Sequence, residues 1–239
     1  MILHVLPGDA IVEKFEAGSF EGEIAVCREA LVDSDLSGDT LPEFWEKRAR
    51  SLGIDSAEYH EKVVREFNKL TALQSGSEIN LWFEYELFCQ TNMWFCLELI
   101  NNTTADVYRI APVTLSDDEV WDGFADLDAD DLRKCFESRV KLTAQDMELG
   151  SNLWSAYRAG EMTELERLSH SRSSAFPKLR EVCVAAIEKE SRPKAIVAEI
   201  VDSGTSEFKD VFREFKARAG VYGYGDTQVK KIWQDLVGV

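Results

Sequence analysis

The chain has 239 residues and a formal net charge of −17, set by 44 Asp and Glu against 27 Lys and Arg. Such a field repels phosphate backbones and anionic lipid, so general nucleic-acid binding and membrane-surface binding are disfavoured. Its 45% hydrophobic and 10% aromatic content supplies a core, which excludes the disordered class and leaves room for one large domain or two small ones.

The charge is uneven. Residues 192–239 hold eight Lys and Arg against seven Asp and Glu, so their net of +1 leaves −18 for residues 1–191. Five cysteines, Cys27, Cys89, Cys96, Cys135 and Cys183, are odd in number and form no C-x-x-C pair. That argues against a disulfide framework and a zinc ribbon, and Cys89 and Cys96 read as small core residues on an apolar helix. No stretch approaches the ~20 apolar residues of a membrane span, and the first residues lack a basic n-region. A soluble cytoplasmic protein is the expectation.

In chain order, Ile2 to Leu6 is a short apolar run closed by Pro7-Gly8, which predicts a buried first strand. Asp9 is placed to cap a short helix from about Ala10 to Ala17, ended by Gly18. Glu23 to Cys27 predicts a second strand, followed by a polar loop from Asp33 to Asp39. Thr40 or Leu41 leads into a helix with Pro42 in its first turn and Gly53 as its stop. Tyr59, Val63, Phe67, Leu70 and Leu73 share one helical face. Ile79 to Phe83 is a third strand, Glu86 to Ile100 a helix apolar all round and therefore buried, and Asp106 to Ala111 a fourth strand. This alternation predicts a parallel sheet with covering helices, a Rossmann-like three-layer α/β domain over residues 1–113.

Residues 114–239 read as a mainly helical domain. Ser116-Asp-Asp-Glu119 has the form of a capping box, and Asp128 and Thr143 are placed to begin helices. Leu153 to Ala159, Phe176 to Glu188, Lys194 to Val201 and Ser206 to Ala219 have helical patterning, with a small turn-strand feature expected over Gly220 to Asp226. Lys194 to Ala219 has the lengths of a helix-turn-helix, but Glu207, Asp210 and Glu214 interleave with Lys209, Arg213, Lys216 and Arg218, which favours ordinary ion pairs.

Ligands of open parallel sheets bind beyond the carboxyl ends of the strands. Polar residues cluster there in three places: Gly8 and Asp9 after the first strand, Arg28 and Glu29 after the second, and Glu84, Glu86 and Gln90 after the third. Singly, Asp9 and Glu86 read as helix caps, and Arg28 and Glu29 as salt-bridge partners. Together they outline a pocket, with Asp9, Glu29, Glu84 and Glu86 as acid–base or cation-holding groups and Arg28 and Arg48 as anion clamps. His4, His60 and His170 are scattered and define no metal site; His4 reads as a satisfied core histidine. Asp126 to Glu137 and Asp33 to Phe44 imitate calcium loops, but the first has Asp131 at the glycine position and the second has Phe44 at the bidentate-acid position. No phosphate loop, dinucleotide fingerprint, nucleophile elbow or H-E-x-x-H helix is present.

Four segments carry a resemblance. His4-Val-Leu-Pro-Gly8-Asp9, Cys27-Arg28-Glu29-Ala-Leu, Phe44-Trp45 with Arg48, and Leu81-Trp82-Phe83-Glu84-Tyr85-Glu86-Leu-Phe-Cys-Gln90 resemble a bacterial family. It is catalogued as domain of unknown function eighteen-thirty-five. Leu153 to Tyr157 and Gly223 to Gln228 are similar to the regions that follow that domain. The family often has His then Asp where this chain has Tyr85 and Glu86, and the resemblance implies the layout and the polar cluster but names no reaction or cofactor. Two functions stay open at this point. One is a small-molecule pocket for an anionic or nucleotide-like ligand at the sheet edge, catalytic or not. The other is a non-catalytic interaction protein acting through its helical half.

Overall fold

The structure is a computed structural model and describes residues 1–113 and 120–238. Five strands, β1 (Ile2–Leu6), β2 (Glu23–Val26), β3 (Glu78–Trp82), β4 (Asp106–Ile110) and β5 (Val140–Lys141), form one sheet in the order β2-β1-β3-β4-β5. The first four run parallel, and β5 pairs antiparallel with β4. The helices are α1 (Val12–Ala17), α2 (Leu41–Leu52), α3 (Ser56–Tyr59), α4 (Arg65–Thr71), α5 (Leu87–Leu99), α6 (Ala129–Glu137) and α7 (Ala144–Ala159). After them come α8 (Met162–Leu168), α9 (Leu179–Glu188), α10 (Arg192–Asp202), α11 (Phe208–Ala219) and α12 (Asp226–Val237). None of the described helices is long and apolar enough to cross a membrane.

Alternation along the strands sends side chains to two apolar clusters, one on each face of the sheet. Leu3, Val5, Ile79, Leu81 and Val107 enter the larger cluster, together with α2, α4, α5, α7 and α9. Leu6, Trp82 and Ile110 enter the smaller one with Phe15 of α1 and Leu132 and Cys135 of α6. The larger cluster runs on to Phe215 and Val229 without a break, and β5 joins the sheet from beyond residue 113. Ten of the thirteen residues of α5 are buried, as its all-round apolar sequence requires.

His4 is fully buried between Phe15, Phe20, Trp82 and Phe136. Its Nδ1 accepts from the Trp82 indole at 3.1 Å and its Nε2 donates to the Glu21 carbonyl at 3.0 Å, so both ring nitrogens are used inside the fold. Burial lowers its pKa below the ordinary 6.5.

Among the described residues, the outer edge of β2 has no neighbouring strand. Glu66 and Lys69 of α4 stand in for one: Glu66 accepts from Val26 N at 3.0 Å, and Lys69 donates to Ile24 O at 2.8 Å while pairing with Glu66 at 2.7 Å. An ion pair on the edge satisfies the free backbone groups and discourages strand addition.

Several expected boundaries hold. Thr40 accepts from Glu43 N, Thr143 and Asp128 form capping boxes, and α2 ends at Gly53. Three expectations change. The segment 56–73 is α3 and α4 joined by a π turn over His60–Val64. Asp9 caps nothing, because its carboxylate is taken by Arg28 across the turn. Residues 220–222 form a 3-10 turn and 226–237 form α12, in place of the turn-strand feature. The Ser116–Glu119 capping box lies outside the described residues.

Candidate functional site

The chain passes outward from β1 to β2 and then returns across β1 to β3, so the strand order reverses between β1 and β3. Crevices form beyond the carboxyl ends of strands at such a reversal. A cavity of about 500 Å³ lies beyond β3, with Glu84 and Glu86 on its wall. Its other walls come from distant sequence: Trp121, then Phe212, Phe215 and Lys216 of α11, then Gly223 and Tyr224.

The eight expected site residues do not share this hollow. Asp9 and Arg28 pair with each other, the guanidinium also donating to Lys62 O at 3.0 Å. Glu29 and Arg48 form a second, sealed site. Arg48 donates to both oxygens of Glu29 at 3.1 and 2.6 Å, and also to Ala30 O and Asp33 O. Tyr59 donates to the same carboxylate, and Asn92 bonds the Glu29 carbonyl. Both charged side chains are fully buried there. Neither Arg28 nor Arg48, the expected anion clamps, lines the cavity, and each guanidinium already holds a carboxylate. Gly8 has extended backbone and open space about its Cα, and it does not line the cavity.

Glu84, Glu86 and Gln90 remain together. Gln90 donates to the Glu84 carbonyl at 2.5 Å and so fixes the backbone between strand and helix, without lining the cavity. Glu86 is the N-cap of α5, where its two oxygens share the Cys89 N–H at 3.1 and 3.3 Å. Glu84 accepts from Phe124 N at 2.6 Å and from the Cys89 thiol at 3.6 Å. One oxygen of each carboxylate and the Cys89 sulfur lie within 4.8 Å of one another.

Two glycines close over these acids. Gly123 has φ +75° and a Cβ there would strike the Glu84 carboxylate; Gly223 has φ +65° and a Cβ there would stand 2.5 Å from Glu86 Cγ. Positive φ and the absence of a Cβ let both loops touch the carboxylates.

Among the described residues no Lys or Arg reaches within 4.0 Å of either acid. Burial and then the neighbouring Glu84 push the Glu86 pKa up to about 8. Burial raises Glu84 as well, against the Phe124 N–H, the Cys89 thiol and more distant Lys216. Desolvation also holds the Cys89 thiol well up. Arg109 stacks 4.8 Å from the centre of the Tyr85 ring, donates to Ala175 O, and leaves its buried Nε without a partner.

No pattern in the sequence marks Trp121, Phe212, Phe215 and Tyr224 as walls. Of the other wall residues, Arg213 and Lys216 read in the sequence as part of a basic helix face, and Gly220, Gly223 and Gly225 as turn glycines. Cys89 reads there as core packing alone, whereas the thiol faces the two acids.

Fold and cavity together define an α/β protein with a ligand-sized cleft at the carboxyl edge of a mostly parallel sheet. Comparison with family models, curated proteins and solved structures finds no match for the chain.

Proposed function

We propose that the protein binds a small molecule in the cavity beyond β3, with Glu84 and Glu86 as the groups that receive it. The observation that carries this reading is a ligand-sized cavity with the buried Glu86 and the half-buried Glu84 on its wall, and with no Lys or Arg paired to either among the described residues. Buried acids are ordinarily paired, hydrogen-bonded or bound to a cation, and here the cavity offers the route for a partner. The aromatic walls suit a planar or apolar body, and Lys216 supplies a positive group on the α11 side. The ligand would thus bring a cationic or hydrogen-bond-donating group to the acids. An anionic end, if it has one, would meet Lys216.

This narrows the anionic, nucleotide-like ligand of the sequence reading to one whose phosphate or carboxylate is not its only anchor. We also propose kinship with family eighteen-thirty-five, a reading supported by the motif segments alone, and a Rossmann-like N-terminal half, a reading supported by four parallel strands with covering helices. The alternative, a partner surface on the basic face of α11, is the weaker reading, since Arg213 already holds Asp210 and Arg218 holds Glu214.

Thermal shift against a panel of amines, polyols, nucleotides and metal ions tests the reading, because a ligand of the native state raises the melting temperature. A stabilising compound whose effect is lost in Glu84→Gln is the expected result. A hit unaffected by Glu84→Gln and Lys216→Ala, or no hit at all, overturns it.

A further inference from the structure

We propose that Glu84, Glu86 and Cys89 hold a divalent transition-metal ion of zinc or cobalt character on the wall of the cavity. This rests on the pocket reading above and names the occupant of its acidic end.

The three ligand atoms approach one another from a strand end and the first turn of α5, within 4.8 Å. Bonds of ~2.0–2.3 Å set tetrahedral ligand atoms ~3.3–3.8 Å apart. The Cys89 sulfur and a Glu84 oxygen already stand 3.6 Å apart, and side-chain closure of about 1 Å over the widest separation completes three corners. Two carboxylates with one thiolate select a borderline-soft ion over magnesium or calcium, which take oxygen alone.

The second observation is the state of Glu86. It is only 5% exposed, lines the cavity, and receives a single shared N–H for two oxygens. Most of its accepting capacity is therefore unspent and available to a group in the cavity. Charge closes the argument. Two carboxylates and a thiolate carry three negative charges and the ion returns two. The remaining negative charge sits at the N-terminus of α5, which favours an anion. Lys216 and Arg109 act on the same acids from farther off. On binding, the Cys89 sulfur–hydrogen bond breaks, its electron pair goes to the metal and its proton goes to solvent; no electron is exchanged. With three protein ligands, the fourth position is left to water or to a donor atom of the small molecule.

The test is a cobalt(II) titration of the full chain, followed by near-ultraviolet thiolate-to-metal charge transfer and by visible bands of tetrahedral intensity. Both are expected at one equivalent. Cys89→Ser should abolish the charge-transfer band, and Glu84→Gln and Glu86→Gln should each weaken binding by at least about tenfold, with Cys183→Ser as the buried-thiol control. Near-ultraviolet circular dichroism shows which variants keep the fold; should Cys89→Ser lose it, Cys89→Ala replaces it. A band that survives at Cys89, or none up to millimolar cobalt, overturns the metal site. If cobalt fails while an organic amine gives a thermal shift that Glu84→Gln removes, the pocket stands and the metal is refuted.

Discussion

The ends of β2 and β3 both present acids, yet the two regions have opposite fates. Beyond β2, Glu29 meets Arg48 and Tyr59, and Arg48 pins the loop 29–35 by donating to the carbonyls of Ala30 and Asp33. Beyond β3, Glu84 and Glu86 meet each other, a thiol and a cavity. Burial alone does not separate them, because Glu29 and Glu86 are 3% and 5% exposed. What separates them is compensation. Glu29 with its arginine is a structural clamp, whereas Glu86 has no Lys or Arg paired to it among the described residues, and burial raises its pKa.

The largest expected effect comes from breaking the clamp. Arg48→Ala leaves Glu29 charged and unpaired in the interior and should cost ~3–5 kcal/mol in urea unfolding. Glu86→Gln should act in the other direction: it removes like-charge repulsion while an amide oxygen can still accept from Cys89 N. No loss of stability, or a gain, is expected near pH 8. Equal losses in the two variants would erase the distinction between the regions.

Next in size is Gly223→Ala. A non-glycine residue at φ +65° costs ~1–3 kcal/mol, and the new methyl presses on Glu86. The variant should lose stability and ligand response together. Gly8→Ala should lose neither, since its surroundings are open and its backbone extended.

The contrast explains what the sequence could and could not disclose. Strand alternation, the apolar α5 and the Thr40, Asp128 and Thr143 caps are local patterns, and all are readable from neighbours in sequence. Glu84 and Glu86 were legible as polar residues at a strand end. Their separation from Arg28 and Arg48 was not, because Glu29 and Arg48 are joined by the path of the loop between β2 and α2. Trp121 and Phe215 reach the wall of the same cavity through tertiary packing alone, and no spacing announces that. Gly220, Gly223 and Gly225 read as turns, and the periodic Val229, Ile232 and Trp233 behind them are too few and too near the chain end to mark α12 by pattern alone.

His4 sharpens the comparison from a neutral side. Its ring is buried and satisfied by Trp82 and Glu21, with Glu78 and Arg139 as the charges that act on it. Burial depresses its folded pKa, so below about 6.5 the unfolded chain takes up the proton first. The His4 contribution to stability is therefore complete above that pH and is lost as pH falls through the folded value. Urea midpoints between pH 7.5 and 5 should decline, and His4→Gln, which keeps an acceptor and a donor, should remove that share of the slope. An unchanged slope would mean the ring titrates alike in both states.

The smallest expected effect lies at Asp9 and Arg28, the pair that resembles the clamp in chemistry but not in setting. Their side chains are 64% and 34% exposed, so water screens the attraction and competes for both partners. Arg28 also keeps its bond to Lys62 O when Asp9 is removed. A double-mutant cycle of Asp9→Asn and Arg28→Gln should give a coupling below ~1 kcal/mol that shrinks in salt. A larger, salt-independent coupling would place this pair with Glu29 and Arg48 as a second clamp. Loss of the cavity's ligand response in either variant would instead extend the binding site across the carboxyl end of β1, and the division drawn between sealed and open acids would have to include all three strand ends.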